Sequence, residues 1–214
     1  MPGKIEPAAN CPLCPRLAAF RDANRKTYPT WHNAPVPAFG ALDAGVLIVG
    51  LAPGLKGANQ SGRPFTGDYA GDLLYRMLGK YGFTSGTYGA TATDGLTLVD
   101  CRITNAVRCV PPKNRPTTTE TNMCGDFLSK EIATMKKLRV LFALGLVAHR
   151  AILKALDVKR SSCSFRHGAC HPLPDGLWLF DSYHCSRYNT NTGRLTETMF
   201  ETVIRDMRAH LSGG

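Results

Sequence analysis

The feature of this sequence that most constrains its fold is a series of short, fully apolar runs separated by amphipathic segments. The first run is Val46-Leu47-Ile48-Val49, and a loop rich in Gly, Asn and Ser follows it. The next segment, Tyr69–Tyr81, has apolar residues at helical spacing. Because a strand that is apolar on both sides is typical of a buried parallel sheet, we expect a strand–loop–helix unit here.

The same alternation continues along the chain. A second strand is predicted at Leu96–Val99 or Arg102–Val107, a third at Val140–Leu144 and a fourth at Trp178–Phe180. Helices are predicted at Thr119–Lys137, at Gly145–Leu156 and at Thr196–Leu211, the last with Thr196 as its N-cap. The pattern predicts an α/β fold: one domain over residues 1–214, three-layer α/β/α with a central, mostly parallel four-stranded sheet.

Three unusual loops follow predicted strands, namely Gly50–Asp68, Asn105–Pro116 and His184–Arg194. Ligands of such folds bind beyond the carboxyl ends of the strands, so we expect these loops to converge on one site. The first loop contains neither GxxxxGK[ST] nor GxGxxG. Its glycines indicate only that backbone amides approach an anion or a planar ligand closely.

The charge balance favours a polyanionic partner. Lys and Arg number 26 against 16 Asp and Glu, a formal charge of +10. Nucleic acids bind such surfaces because neutralising phosphates releases counterions. A basic surface without a partner is the alternative. The basic residues are spread along the chain, which favours a folded basic face over a tail.

Eight cysteines are present in a chain that we expect to be cytosolic. No apolar run reaches the roughly 20 residues that span a membrane, and Met1 to Asn10 contain no signal-peptide pattern. Because disulfides are rare in the cytosol, binding of a metal or cluster is the first explanation to consider for these cysteines.

Four of the cysteines have a suggestive spacing. Cys11 and Cys14 form a CxxC pair, and Cys109 and Cys124 flank a Pro-rich stretch with fourteen residues between them. Four thiolates can hold zinc or a 4Fe–4S cluster. Structural zinc sites usually use two closely spaced pairs, and only Cys11 and Cys14 are close in sequence, which favours the cluster. The remaining cysteines are interpreted as buried or half-buried thiols: Cys101, Cys163, Cys170 and Cys185.

Taken together, the motifs resemble a known family over nearly the whole chain. They are CxxC, GLAPG…GRPFTGD, TNAVRCVPPKNRPT…C, VLFALG, FRHGA…HPLP and HCSRYNTNTGRLT, in that order. This is similar to the iron–sulfur uracil-DNA glycosylases, and Leu51 in GLAPG points to type B (family 5), since family 4 typically has Glu there. The resemblance implies a 4Fe–4S cluster on Cys11, Cys14, Cys109 and Cys124, and hydrolytic removal of uracil, with deaminated purines as further substrates.

The resemblance also implies residues that bind the base. Phe65 matches the ring that stacks on the flipped base, although a core aromatic is the alternative. Asn105 matches the Asn with which family 4 enzymes read the uracil edge, and not all type B enzymes have it. The remaining substrate-binding candidates are Gly50, Ala52, Gly54 and Asn189.

Three residues are catalytic candidates. Asp68 matches an acidic residue near the sugar, and it can also be a helix N-cap. His184 lies in the second motif, where Cys185 departs from the usual Pro or Val, and would face the leaving base. Asn114 matches a loop Asn linked to activity, and a turn residue is its alternative.

DNA contacts are expected from the residues after His184. Arg187 and Tyr188 are candidates to wedge into the duplex, and Ser186 and Thr190 to bond phosphates. The expected partner is DNA containing uracil or other deaminated bases, bound by a monomer located with the nucleoid in the cytoplasm. Three alternatives remain: a non-catalytic binding module with a structural zinc site, an iron–sulfur redox protein, and a protein that traps uracil-DNA covalently.

Overall fold

A five-stranded sheet forms the centre of the molecule in the computed structural model, which describes residues 5–213. In spatial order the strands are β4 (Cys101–Asn105), β1 (Val46–Gly50), β5 (Val140–Leu144), β7 (Trp178–Ser182) and β6 (Cys170–Pro172). Four strands are parallel, and the short edge strand β6 is antiparallel to β7. The prediction of four strands is therefore corrected to five, because β6 is too short to show a strand pattern.

Helices cover both faces of the sheet, as predicted. The longer helices are α1 (Pro15–Thr27), α3 (Tyr69–Lys80), α4 (Thr118–Thr134), α5 (Leu146–Ala155) and α7 (Glu197–Ser212). The short helices are α2 (Ala58–Ser61) and α6 (Arg187–Asn191). The N-cap of α7 is Thr196, whose side chain accepts a hydrogen bond from the Met199 amide.

The core lies in two layers that follow the alternation of side chains along β1. Val46 and Ile48 pack with apolar residues of α3 and α7 on one face. Leu47 and Val49 pack with residues of α4 and α5 on the other face. Because both faces of β1 are buried, its continuous apolar run is explained, and the three-layer prediction is confirmed.

Two further segments differ from the sequence predictions. The second sheet strand is Cys101–Asn105, which overlaps the predicted Arg102–Val107 alternative but begins one residue earlier and ends two residues earlier. Leu96–Val99 contributes only β3 (Thr97–Leu98), which pairs with β2 (Thr84–Ser85) in a separate hairpin. Helix α1 was not predicted, because its buried side includes Arg21 and Asn24 instead of an apolar stripe. Over residues 5–213, no helix is long and apolar enough to cross a membrane.

Candidate active site

The three predicted loops meet at the carboxyl ends of the parallel strands. They border a cleft of about 840 Å³. Its lining includes Ala52, Gly54 and Asp68 from the first loop, Asn114 from the second, and His184, Ser186, Arg187, Tyr188 and Asn189 from the third. The convergence expected from the strand order is therefore present in the fold.

A narrow pocket adjoins this cleft. Its lining includes Ala52, Gly54, Phe65, Asp68, Asn105 and His184. Four of these residues, Ala52, Gly54, Asp68 and His184, also border the cleft, so the two spaces are adjacent. The pocket thus brings together an aromatic ring, an amide, a carboxylate and an imidazole.

Phe65 has an unusual backbone conformation. It is 6% exposed and has a φ of 52°, in the left-handed region that a residue with a bulky side chain seldom adopts. The Tyr88 hydroxyl donates a hydrogen bond to the Phe65 carbonyl over 3.3 Å. The Phe65 ring lies 5.9 Å from the His184 ring, centroid to centroid, at 26° between the planes. Phe65 is therefore both buried and part of the pocket wall.

Gly50 shapes the pocket by lacking a side chain. A Cβ atom at this position would lie 2.6 Å from Cζ of Phe65 and would collide with Oδ1 of Asn105. Gly50 ends β1 directly beside Asn105, which ends β4. The close approach of these three residues requires glycine.

Asp68 is both an N-cap and a residue of the pocket. Its Oδ1 accepts a hydrogen bond from the Gly71 amide over 2.9 Å at the start of α3. Burial raises the pKa of the Asp68 carboxyl above its ordinary value, and the bond from Gly71 opposes this shift. A Cβ atom on Gly57 would lie 2.6 Å from Oδ2 of Asp68, so glycine leaves room for the carboxylate.

His184 is held in place through its backbone and has a free ring nitrogen. Its Nδ1 is buried and has no hydrogen-bond partner within residues 5–213. Burial lowers the pKa of His184 to about 4, so the imidazole is neutral at pH 7. Asn189 donates from Nδ2 to the His184 carbonyl over 2.8 Å. The amide of Asn189, predicted to bind substrate, thus positions His184. The adjacent Cys185 is fully buried, with Sγ 3.5 Å from the Ala70 carbonyl, so the thiol suits this slot.

The predicted DNA-contacting residues lie on α6 at the rim of the cleft. Ser186 is the N-cap of α6, and Thr190 donates its hydroxyl to backbone carbonyls of Ser186 and Arg187, so both hydroxyls are engaged within the helix. The Arg187 guanidinium lies 5.6 Å from the centroid of the Tyr69 ring. Tyr188 is 73% exposed, which is unusually high for an aromatic residue.

Asn114 ends a short 3-10 turn, Pro112–Asn114, at the mouth of the cleft. Lys113 and Asn114 both have positive φ angles, of 56° and 55°. Asn tolerates this conformation better than most residues, so the turn explains its presence here, while its position also allows contact with a bound ligand.

The four cysteines predicted to bind a metal line one small cavity. Apolar neighbours such as Leu17, Val107 and Phe127 enclose it, and the Arg108 amide lies 3.4 Å from Sγ of Cys124. No three of these sulfurs within residues 5–213 lie within 4.8 Å of one another. The spacing is therefore wider than a tetrahedral zinc ion with Zn–S bonds of about 2.3 Å requires.

The remaining cysteines follow the prediction with one exception. Cys101, Cys163 and Cys185 are buried, whereas Cys170 is exposed. The correction at Cys170 has a simple cause, because this residue lies on the edge strand β6, which has no strand on its outer side within the described chain.

Several residues of the cleft were not predicted from the sequence. They are mostly basic or aromatic: Lys56, Arg115, Phe165, Tyr183 and Arg194. The Arg194 guanidinium lies 4.7 Å from the centroid of the Tyr183 ring. Arg194 belongs to the HCSRYNTNTGRLT motif, which was the available signal, whereas Lys56 and Phe165 become visible only through the fold.

Comparisons with known proteins agree with this geometry. Residues 37–208 match the sequence profile of the uracil DNA glycosylase superfamily. A Type-5 uracil-DNA glycosylase of Thermus thermophilus is 42% identical over 95% of both chains. A Type-5 enzyme of Pyrobaculum aerophilum is 40% identical over 92% of this chain and 87% of its own. A Type-4 enzyme of the same organism is 34% identical over 76% of this chain and 69% of its own.

Proposed function

This chain belongs to the uracil-DNA glycosylase superfamily, and we propose that the narrow pocket receives a base flipped out of DNA. The protein is a DNA-repair glycosylase that removes uracil by hydrolysing the N-glycosidic bond. The single observation that carries the site assignment is the convergence of Phe65, Asn105, Asp68 and His184 on one pocket.

Recognition of the base rests on Phe65 and Asn105. The Phe65 ring is held in one orientation by its surroundings and offers a fixed face on which the base can stack. The Asn105 amide can donate to a carbonyl oxygen of uracil and accept from its N–H. Gly50 supports both side chains by leaving the space that they occupy. Ala52 and Gly54 complete the wall without bulky side chains.

Catalysis rests on the charge that develops as the C–N bond breaks. The sugar gains positive charge and the leaving uracil gains negative charge. In our proposal the ionised Asp68 stabilises the sugar cation and orients a water molecule for attack on C1′. His184, neutral at pH 7, donates a hydrogen bond to a uracil oxygen. Asn114, at the mouth of the same cleft, helps to hold that water.

DNA binding draws on the basic character of the chain and on the rim of the cleft. The net charge of +10 offsets the cost of taking a base out of the stack, which is a few kcal/mol. We assign the exposed Tyr188 and the neighbouring Arg187 to the gap left by the flipped base. Ser186 and Thr190 lie beside them on α6 and are assigned to the phosphate backbone. The Ser186 hydroxyl accepts from the Asn189 amide and keeps its own proton for a phosphate, whereas Thr190 must first turn its hydroxyl away from the backbone carbonyls of α6. We propose that the enzyme acts as a monomer on DNA of the nucleoid.

The four-cysteine cavity is proposed to hold a 4Fe–4S cluster. The wide spacing of the sulfurs, the apolar enclosure and the amide of Arg108 at Cys124 fit a cluster better than zinc. Arg21, buried to 4% exposure, donates to the Cys11 carbonyl over 3.0 Å, and its positive charge compensates the thiolates. When bound, the cluster would join the Cys11–Cys14 segment before α1, the loop that carries Cys109, and α4, and would order the rim near Asn114.

The substrate range is tested with matched duplexes that contain uracil, hypoxanthine or xanthine, followed by alkali to cleave abasic sites. We expect the uracil-containing strand to break only after alkali treatment, which identifies a monofunctional glycosylase. Breakage of the strands with hypoxanthine or xanthine would extend the substrate range to deaminated purines, as the resemblance implies. Tight binding to uracil-DNA without release of base would favour the non-catalytic or covalently trapping alternative, and denaturing gels distinguish these two.

A further inference from the structure

A second cluster of ionisable residues lies away from the narrow pocket, between α5 and the sheet edge. It consists of His149 on α5, His171 on β6 and Asp181 on β7. One ligand atom from each residue lies within 4.8 Å of the others. His149 and Asp181 are 2% and 0% exposed. Asp181 has its carboxylate buried under the sheet edge, where an unpaired charge is costly.

The hydrogen bonds of His149 fix the position of one ring proton. Its Nε2 lies 3.0 Å from the Cys163 carbonyl, which can only accept, so Nε2 carries a proton. In a neutral ring Nδ1 then presents a lone pair, and it lies 2.8 Å from Oδ1 of Asp181, another acceptor. Two acceptors at this distance repel each other unless a proton or a metal cation lies between them.

The other half of the cluster indicates a metal cation. Oδ2 of Asp181 and Nε2 of His171 are 3.4 Å apart, are buried, and form no hydrogen bond within residues 5–213. A proton on His149 would satisfy Nδ1, but His171 would still face Asp181 across 3.4 Å without a well-formed hydrogen bond. One divalent cation satisfies all three residues together.

We propose that His149, His171 and Asp181 form a binding site for a divalent transition metal ion such as Zn²⁺. Two imidazoles and one carboxylate are a ligand set that zinc accepts, with water as the fourth ligand. The bond from His149 to the Cys163 carbonyl is the kind of outer contact that orients a metal-binding histidine. The His171 side chain is 18% exposed on the edge strand, which gives the ion a route from solvent.

The role of this site is to connect three elements beside the catalytic cleft. The ion would join α5, β6 and β7, and the chain continues from Asp181 through Tyr183, which borders the cleft, to His184. The site is therefore a structural connection that fixes the strand from which His184 extends. It is independent of the four-cysteine cavity and of the glycosylase assignment.

The experiment uses the full chain purified without oxygen, so that its iron is preserved, treated with EDTA and desalted. Zinc is added, and bound zinc and iron are measured in the same sample by mass spectrometry. We expect one zinc per chain with unchanged iron and a raised Tm. His171→Gln should weaken zinc binding at least about 10-fold, as loss of a ligand predicts. His210→Gln, a histidine on α7 that packs against Trp178, is the matched control and should bind zinc normally.

Zinc-edge absorption spectroscopy on the wild-type protein tests the ligands without any variant. Nitrogen and oxygen neighbours at about 2.0–2.2 Å are expected. Sulfur at about 2.3 Å, or zinc gained as iron is lost, would place the ion in the cysteine cavity and overturn the proposal. Failure to retain zinc would overturn it as well, and a buried His–Asp ion pair would then explain the cluster. Neither result would alter the outcome of the glycosylase assay.

Discussion

Replacement of Gly50 by alanine tests whether the shape of the pocket controls base recognition. The added Cβ would lie 2.6 Å from Cζ of Phe65, whereas ordinary contact begins at about 3.4 Å. The Phe65 ring must therefore retreat by about 0.8 Å, and Asn105 must move from its place beside β1 as well. The backbone of Gly50 needs no special φ, so this collision is the main effect of the substitution.

The size of the effect follows from this displacement. Overpacking of a buried site typically costs about 1–3 kcal/mol of folding free energy, which a domain of this size can tolerate. A shift of about 1 Å in a positioning group can reduce the rate about 100-fold, which corresponds to about 2.7 kcal/mol of transition-state stabilisation. We therefore expect Gly50→Ala to fold, to bind undamaged DNA normally, and to lose about 100-fold in kcat/KM on uracil-DNA.

The assay is single-turnover release of uracil from a duplex, together with thermal unfolding and binding of an undamaged duplex. Gly125→Ala is the matched control, because Gly125 lies within α4 with no atom near its Cβ position. That change should leave activity unaltered and add roughly 0.5–1 kcal/mol of stability. A folded Gly50→Ala protein with wild-type kcat/KM would show that Phe65 and Asn105 do not define the base site.

Three further predictions concern the charges and the cysteines of the protein. Asp68→Asn keeps an N-cap for α3 and removes the charge, so unfolding should be unchanged while single-turnover cleavage falls by about 10²- to 10⁴-fold; near-full cleavage would exclude the assigned role. Because the pKa of Asp68 is raised and its ionised form is active, the rate should fall as the pH decreases, with a midpoint above the pKa of an ordinary aspartate. The pKa of His184 is about 4 and its neutral ring is active, so no change in rate should occur near pH 6.5. A change there would indicate that the charged imidazolium takes part in catalysis. Cys109→Ala should lose iron, measured by metal analysis, and should unfold at a lower temperature, measured by calorimetry. Cys170→Ala, at an exposed position outside the cavity, is the control and should do neither. A stable Cys109→Ala protein with its full iron content would contradict the ligand assignment.

Much of the fold could be predicted because the sheet is buried on both faces. The apolar runs of β1 and β5 are typical of strands buried on both faces, and the helices that cover them show regular apolar spacing. Prediction failed for elements that bury polar side chains or are too short to show a pattern. Helix α1 buries the polar residues Arg21 and Asn24, and Arg21 bonds the Cys11 carbonyl. Strand β6 is a three-residue edge strand, so neither element has a periodic apolar pattern.

The conformation of the candidate site depends on long-range contacts that no local pattern shows. Arg63 precedes Phe65 in the first loop, is 5% exposed, and forms two hydrogen bonds of 2.7 Å with Asp94. The Arg63 guanidinium also bonds Thr66 over 2.8 Å and lies 5.5 Å from the centroid of the Tyr75 ring.

This pair fixes the residues on both sides of Phe65, and loss of one partner of such a buried pair typically costs about 3–5 kcal/mol. The left-handed backbone of Phe65 itself costs on the order of 1–3 kcal/mol, so it persists only because contacts of this strength surround it. The sequence motif identifies Phe65 as a candidate, but its orientation depends on Asp94, about thirty residues further along the chain. In the role that we propose for Phe65, a ring that is fixed before the base arrives needs no ordering when the flipped nucleotide enters, which lowers the cost of recognition.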